Sequence, residues 1–421
     1  MSRRGICAAL LTLLTGGMSD AATPSLDARL GAESPVVPYD PKLKLATVVE
    51  ATFDHYPRQA LIMASEDEAK ALQTRSTSWI AGFPMIYLQW IDDTILSGDG
   101  LLEIQTGYQI PVWMWGQKDA GQKVADEASR SVLAFSVAVK HEVAGLVRDA
   151  LWNIKLAENR YELARQVYEV STKLVATVAR RVELGDLSRS DLLMAESDSL
   201  EKKTLVGQAE LELIKSYQVY TNVTRLQQVP RDFGETQSNI KDIAENHPSL
   251  AALNTMIERA QAQVEWTRRS KQGNQPSILL GTNHARTFRG EALNSGTNIV
   301  LQIPVGGDDW NSPAVAEANV ALNQKIVERE MLMRELNKAL AATRRSIETN
   351  RSLLEIAERR REIAETQIRM NQLAFESGEI ELINFLKIQS TAQMTIRDAR
   401  ERGILLEKDL ALYNQVVGVT P

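Results

Sequence analysis

The sequence predicts a mainly α protein with a small β part, built from long antiparallel helical hairpins and written twice along the chain. Three observations carry this. All thirteen prolines lie outside residues 112–229 and 314–420, which leaves two long stretches free to be helix. Hydrophobic residues make up 44% of the chain but aromatic residues only 5%, which suits helices of small residues better than one large globular core. Finally, Pro57, Pro84, Pro111 and Gly185 recur as Pro248, Pro276, Pro304 and Gly378 at offsets of 191, 192, 193 and 193, so two copies keep register over most of the chain. Each copy reads helix, two strands, long helix, turn, long helix.

Arg3 and Arg4 precede the apolar stretch Ile6 to Leu14, and Ser19, Asp20, Ala21 and Ala22 follow, which is the layout of a secretory signal over residues 1–22. The one cysteine, Cys7, would leave with it, so disulfides, thiol chemistry and cysteine metal sites are excluded for the mature chain. Lying before the cut, Cys7 is also not the lipid-bearing first residue of a lipoprotein. Residues 23–43, with Pro24, Pro35, Pro38 and Pro41, read as an extended segment.

The first repeat spans 44–230 and the second 244–418, with a linker over 231–243. In the first, a helical piece from Lys44 to Thr77 precedes a β-hairpin at about 84–112. There Leu102, Ile104, Thr106, Tyr108 and Ile110 alternate with Glu103, Gln105, Gly107 and Gln109, while Ile86, Leu88 and Trp90 alternate with Tyr87 and Gln89. A long helix from about Val124 to Val182 then turns at Gly185 and returns from Ser188 to Val229. The second copy has a helix from His247 to Ser270, a hairpin at about 276–304 and a turn at Gly378. Its strands are Thr297 to Ile303 and the less regular Pro276 to Phe288. Links such as Asp92 to Gly100 and Arg289 to Gly296 would close the hairpins.

Along the first long helix, Leu151, Ile154, Ala157, Tyr161, Ala164, Tyr168, Ser171, Val175, Val178 and Val182 step by threes and fours, a coiled-coil seam broken only by Ser171. A second stripe of Leu163, Val167, Val170 and Leu174 runs beside it, so the helix has neighbours on both flanks, like a stave in a barrel. A four-helix bundle core is the simpler alternative, but a helix on the order of 90 Å needs an equally long partner. The return helix is shorter, and the pieces 44–77 and 247–270 are expected to stack end to end with the return helices.

Four strands cannot close a barrel, and an open sheet edge is not tolerated in lipid, so these strands need partners from other chains. Three copies would supply twelve strands, and alternation of apolar and polar faces over about ten residues is what a membrane barrel with a wet lumen requires. No apolar run reaches about 18 residues, which excludes a membrane-spanning helix. With 54 acidic and 48 basic side chains the net charge of -6 speaks against a nucleic-acid partner.

The turn segments Arg181-Val-Glu-Leu-Gly185-Asp-Leu-Ser-Arg-Ser-Asp191-Leu-Leu-Met-Ala195 and Glu376-Ser-Gly378-Glu-Ile-Glu-Leu-Ile-Asn-Phe-Leu386 each join a glycine turn to an apolar helix start. The strand ends Gln109-Ile-Pro111 and Gln302-Ile-Pro304 match as well. With the signal and the doubled repeat, these segments resemble the TolC-like outer membrane efflux protein family over nearly all of the mature chain. The resemblance implies a homotrimer, with a twelve-stranded β-barrel in outer-membrane lipid continuing into a periplasmic α-barrel. It also implies helix-turn-helix tips that meet a periplasmic adaptor protein linked to an inner-membrane pump. Here those tips are Leu184, Gly185, Asp186, Leu187 and Ser188, and Ser377, Gly378, Glu379, Ile380 and Glu381. The family's best-known members ring the pore with aspartates soon after the second turn glycine. This chain departs from that with Asn384 and Lys387, so the pore-gate candidates are Glu381, Asn384 and Lys387, while Asp191 lies on the helix usually away from the pore.

No enzymatic constellation, cofactor motif or metal site is found. His141-Glu142 lacks the second histidine of a zinc helix, and Gly306-Gly307-Asp308-Asp309 lacks the spacing of a phosphate or cation loop and reads as a polar turn. His55 and His247 read as helix-start residues, and Met331 and Met333 as helix packing. The expected function is a passive exit duct of a tripartite efflux system for small molecules or metal cations. A protein-secretion channel and a non-channel periplasmic scaffold are the competing readings.

Overall fold

The computed structural model describes residues 37–271 and 274–421. The expected signal and the first part of the extended segment, residues 1–36, lie outside the described residues. Strand β1 (Tyr39–Asp40) pairs in parallel with β4 (Val229–Pro230), tying the start of the described chain to the end of the first helical hairpin. Helices α1 (Leu45–His55) and α2 (Gln59–Thr77) follow. The piece read as one helix is therefore two: Pro57 forces Tyr56 into extended backbone, φ -69° and ψ 136°, and α1 stops there. His55 accordingly ends a helix rather than starting one.

Hairpin β2 (Met85–Asp92) and β3 (Leu102–Pro111) leads into α3 (Gln117–Glu183), which begins seven residues before the expected Val124. Its return helix α4 (Arg189–Thr224) ends at Arg225, whose φ of 57° breaks the helical path five residues short of the expected end. In the second half come α5 (Pro248–Ser270), β5 (Ser277–Arg286), β6 (Asn294–Gln302), α6 (Asp308–Glu376) and α7 (Leu382–Val416). Strand β6 takes in Asn294 and Gly296, so the link is shorter than the sequence suggests. Helix α6 also runs through Pro313; the carbonyl of Asp309, which loses its amide donor there, accepts from the Ser312 hydroxyl at 2.8 Å.

At 67 and 69 residues, α3 and α6 are each about 100 Å long. Helix α3 packs on α4 and, by its other flank, on α7, while α6 packs on α7. The uncovered lengths of the long helices are filled as the lengths demand: α2 lies along α3, and α5 lies between α3 and α6. Helix α1 begins near the end of α4, and α5 begins where α7 ends, with His247 and Pro248 against Gly418. His247 caps α5 by accepting from the Ser249 amide through Nδ1. Trp266 near the other end of α5 sits over Gly121, where a Cβ would come within 2.8 Å of its ring, so glycine permits the close crossing of α3 and α5. The seam of α3 is buried at Leu151, Ile154, Ala157 and Val178, and the interrupting Ser171 is buried too. Its hydroxyl lies 3.2 Å from that of Ser199 on α4, so a polar pair replaces an apolar knob without leaving a gap.

At the waist of the helices, the buried Arg148 of α3 donates from Nε and Nη2 to the two carboxylate oxygens of Glu235 at 2.7 and 2.8 Å, and from Nη1 to Gln415 and the Val419 carbonyl. Asn414 donates to Glu235 and to the Thr236 carbonyl. The segment between the repeats and the end of the chain are thus pinned to α3 by one bidentate pair. Beside it the rings of His141 and His247 meet edge to face, 5.2 Å between centroids.

Burial, then the neighbouring His247 and Arg148, pushes the His141 imidazole down to about 4, and burial lowers His247 as well. Both groups are depressed in the fold, so their contribution is complete above the unfolded value near 6.5 and is lost as pH falls toward 4. For His141 this is worth on the order of 3 kcal/mol. We expect the denaturant midpoint of detergent-solubilised protein to drop more steeply between pH 6.5 and 4 in the wild type than in H141Q, measured by circular dichroism.

Candidate functional site

Strands β2, β3, β5 and β6 form one antiparallel sheet in that order, and its outer strands each have a partner on one side only. Its register sorts the side chains. Ile86, Tyr108, Leu280 and Ile299 stand in one row, with Ile110, Ile278 and Leu301 beside it on the same face. The opposite face carries Gln89, Gln105 and Asn283, then Gln109, Ser277 and Gln302, the last three joined by hydrogen bonds of 2.8 to 3.1 Å. Ile86 is 85% exposed and Ile299 75%, so these apolar positions have no cover among the described residues. Gly107 and Gly281 face each other mid-sheet, and a Cβ on Gly281 would lie 2.2 Å from the Thr106 carbonyl, so the strands cross there with bare backbone.

Trp79, Phe83, Trp115 and Trp310, all exposed, lie just past the strand ends nearest the helices, and Trp90 and Phe288 lie near the other end. Aromatic girdles above and below an apolar band are how membrane strands meet the two interfaces. The sequence reading named Trp90 and Phe288 only as strand residues and did not pick out Trp79, Phe83, Trp115 or Trp310, although their positions flanking the alternating segments were visible. Strands of 8 to 10 residues are close to the 9–11 that a tilted strand needs to cross a bilayer. Among the described residues, no helix is long and apolar enough to cross a membrane.

At the far end of the helical hairpins the two glycine turns have the same construction. Gly185 and Gly378 have φ of 82° and 79°. In one turn the Asp186 amide donates to the Arg181 carbonyl at 2.9 Å and Gly185 to Val182; in the other Glu379 donates to Ala374 at 2.8 Å and Gly378 to Phe375. This paired closure satisfies the last carbonyls of each long helix and needs a residue tolerant of positive φ. After the first turn, Ser188 and Asp191 form a reciprocal cap, each side chain accepting from the other's amide. After the second, Glu381 makes no such bond from its side chain.

The structure places Leu184, Gly185, Asp186 and Ser188 on the exposed tip with Ser377, Gly378, Glu379 and Glu381. Leu187 and Ile380 turn inward to pack on a cluster of Val178, Ala195, Phe375, Leu382 and Phe385. Asn384 and Lys387 are exposed on α7, next to Glu381, and all three keep clear of that cluster. Gly306 and Gly307 supply positive φ at the start of α6, with Asp308 and Asp309 in its first turn, where negative charge is favoured, and Asp308 pairs with Lys271. Among the described residues, no group of three or more His, Cys, Asp or Glu is placed to hold a metal ion.

Arg181 joins the two tips. From the last turn of α3 its Nη1 donates to the Phe375 carbonyl of α6 at 3.0 Å, and its guanidinium stands 5.3 Å from the Phe375 ring centroid. Phe375 in turn stacks on Phe385 of α7 at 4.9 Å. Sequence reasoning missed these three residues, because the contact spans 194 positions and exists only once the hairpins lie together. In R181A the two turns lose their one charged tether, so spin labels at positions 186 and 379 are expected to give a broader distance distribution than in the wild type, by pulsed electron resonance.

No family model matches the sequence. The cobalt-zinc-cadmium resistance protein CzcC of Cupriavidus metallidurans is 23% identical over 317 residues, covering 70% of this chain and 72% of that protein. The outer membrane channel CmeC of Campylobacter jejuni superimposes with a TM-score of 0.71 at 12% identity, covering 97% of this chain and 94% of that one. The outer membrane protein VceC of Vibrio cholerae does so with a TM-score of 0.68 at 13% identity, covering 90% and 97%. Over nearly its whole described length the chain thus shares the fold of the outer membrane channels CmeC and VceC, with long helical hairpins carrying a four-stranded sheet as described above.

Proposed function

We propose that three copies of this chain form a passive outer-membrane exit duct of a tripartite efflux system. The observation that carries the reading is the sheet, which is apolar on one exposed face, polar on the other and unpaired along both margins. In lipid that sheet is stable only when its margins are paired, and three copies give a closed twelve-stranded barrel with a wet interior. The polar face lines the lumen, the apolar face meets outer-membrane lipid, and the helices extend into the periplasm. No catalytic step is involved, since a duct lowers no chemical barrier; energy comes from an inner-membrane pump coupled through an adaptor.

The adaptor docks on the tips formed by residues 184–188 and 377–381, and Glu381, Asn384 and Lys387 set the charge of the periplasmic mouth. The similarity to a protein named for cobalt, zinc and cadmium resistance supports metal cations as cargo. A coiled-coil scaffold without a channel has no use for an exposed apolar sheet face bounded by tryptophans, so the duct is preferred.

Purified, detergent-extracted protein is expected to give stepwise conductance in planar lipid bilayers; a soluble monomer with no conductance would refute the duct. For the tips, G185V and G378V place a β-branched residue at positive φ, which costs at least about 1–2 kcal/mol in the turn. Both variants are expected to reach the outer membrane as trimers yet lose most metal resistance in cells, measured by growth in zinc or cobalt; unchanged resistance would argue against docking there.

A further inference from the structure

We propose that Glu103 is the charge-selecting residue of the outer duct, where three copies form a carboxylate ring that favours cations. This rests on the trimeric duct proposed above, in which the polar face of the sheet is the lumen wall. Among the described residues, Glu103 is the only carboxylate, and there is no Lys, Arg or His, on that face of the four strands. Its face otherwise carries uncharged polar residues such as Tyr87, Gln89, Gln105, Gln109, Asn283 and Gln302, with small or apolar residues between them. The register pairs Glu103 with Ile91 on one side and Ala285 on the other, so no basic side chain stands opposite it. Its one recorded partner is the Gln105 amide of the same strand, a neutral donor that holds the carboxylate against the wall without cancelling its charge.

The surrounding groups do not offset it. Arg286 belongs to the opposite face, opposite Leu102, and its Nε donates to the Gly100 carbonyl. Asp92 is also on that outward face, and Asp93 folds into its own loop to accept from Ser97 and the Gly100 amide. Asp99, Arg289 and Glu291 lie in the connections beyond the strands. Among the described residues, no Lys, Arg or His stands on the lumen face of the four strands, so the Glu103 charge is left whole. These are the features of a wall suited to cations and not to anions.

Size decides whether one ring can matter. Twelve strands about 4.8 Å apart and tilted about 40° close at a backbone radius of roughly 12 Å. A glutamate reaching about 4 Å inward then stands roughly 8 Å from the axis, about one Debye length at 0.15 M salt. The ring therefore acts across the whole lumen at or below that ionic strength and is screened out near 1 M, where the Debye length is about 3 Å.

The test is the reversal potential of reconstituted channels under a potassium chloride gradient. At about 0.03 M mean salt, where the Debye length is well above 10 Å, wild type is expected to prefer potassium. E103Q should lower the potassium-to-chloride permeability ratio at least about threefold, and E103K should move it to chloride preference; near 1 M the three proteins should converge. Channels of normal conductance whose permeability ratio is the same in wild type, E103Q and E103K would overturn the inference. Absence of any conductance from the wild type would instead overturn the duct on which it rests.

Discussion

Backbone amides and carbonyls along the outer margins of β2 and β6 find no strand partner among the described residues, and hydrocarbon offers them none. Each unpaired group left in lipid costs several kcal/mol, and a strand margin carries a row of them. That requirement explains why a chain with so few bulky residues can be stable. In the proposed trimer its sheet would be completed by copies of itself, and the helices below need only line up side by side. The small residues of the helices, the short turns and the absence of a conventional globular core all follow from building a wall rather than a ball.

The wall is secured unevenly. Around the waist, Arg148, Glu235, Asn414 and Gln415 bind together three parts of the chain that are far apart in sequence. Breaking such a pair by removing one partner would strand a buried charge, typically a loss of 3–5 kcal/mol. Toward the tips, the two hairpins meet through a small apolar cluster and Arg181. The gradient from a charged, bidentate anchor to a single tether runs along α3 itself, and it places the most adaptable contacts where a partner protein would meet the chain.

Much of this was legible in the sequence because it depends on local period and punctuation. Period two revealed the strands, and the step of three and four revealed the seam of α3; glycines at a fixed offset revealed the turns. Where local rules compete, the reading slipped. Pro57 splits what periodicity alone joins, Arg225 ends α4 although no proline or glycine stands there, and Pro313 is absorbed into α6 because Ser312 covers the freed carbonyl. The tip residues 184–188 and 377–381 could be located from the glycines, but Arg181, Phe375 and Phe385 could not. Their meaning comes from a tertiary contact between repeats, which no window of neighbouring residues contains. Glu103 lies between these cases: its alternation was plain, but its isolation on one face needed the register of three neighbouring strands.

The Arg148 anchor has a mechanical corollary. Between it and the turn at Gly185 lie 35 residues of continuous helix, about 52 Å. A beam clamped at that height and held more lightly toward its tip amplifies angle into displacement, and ten degrees of tilt at the clamp sweeps its foot through roughly 9 Å. In the proposed duct, small rotations of a few side chains at mid-height would thus translate into a change of aperture on that scale, with no helix having to unwind.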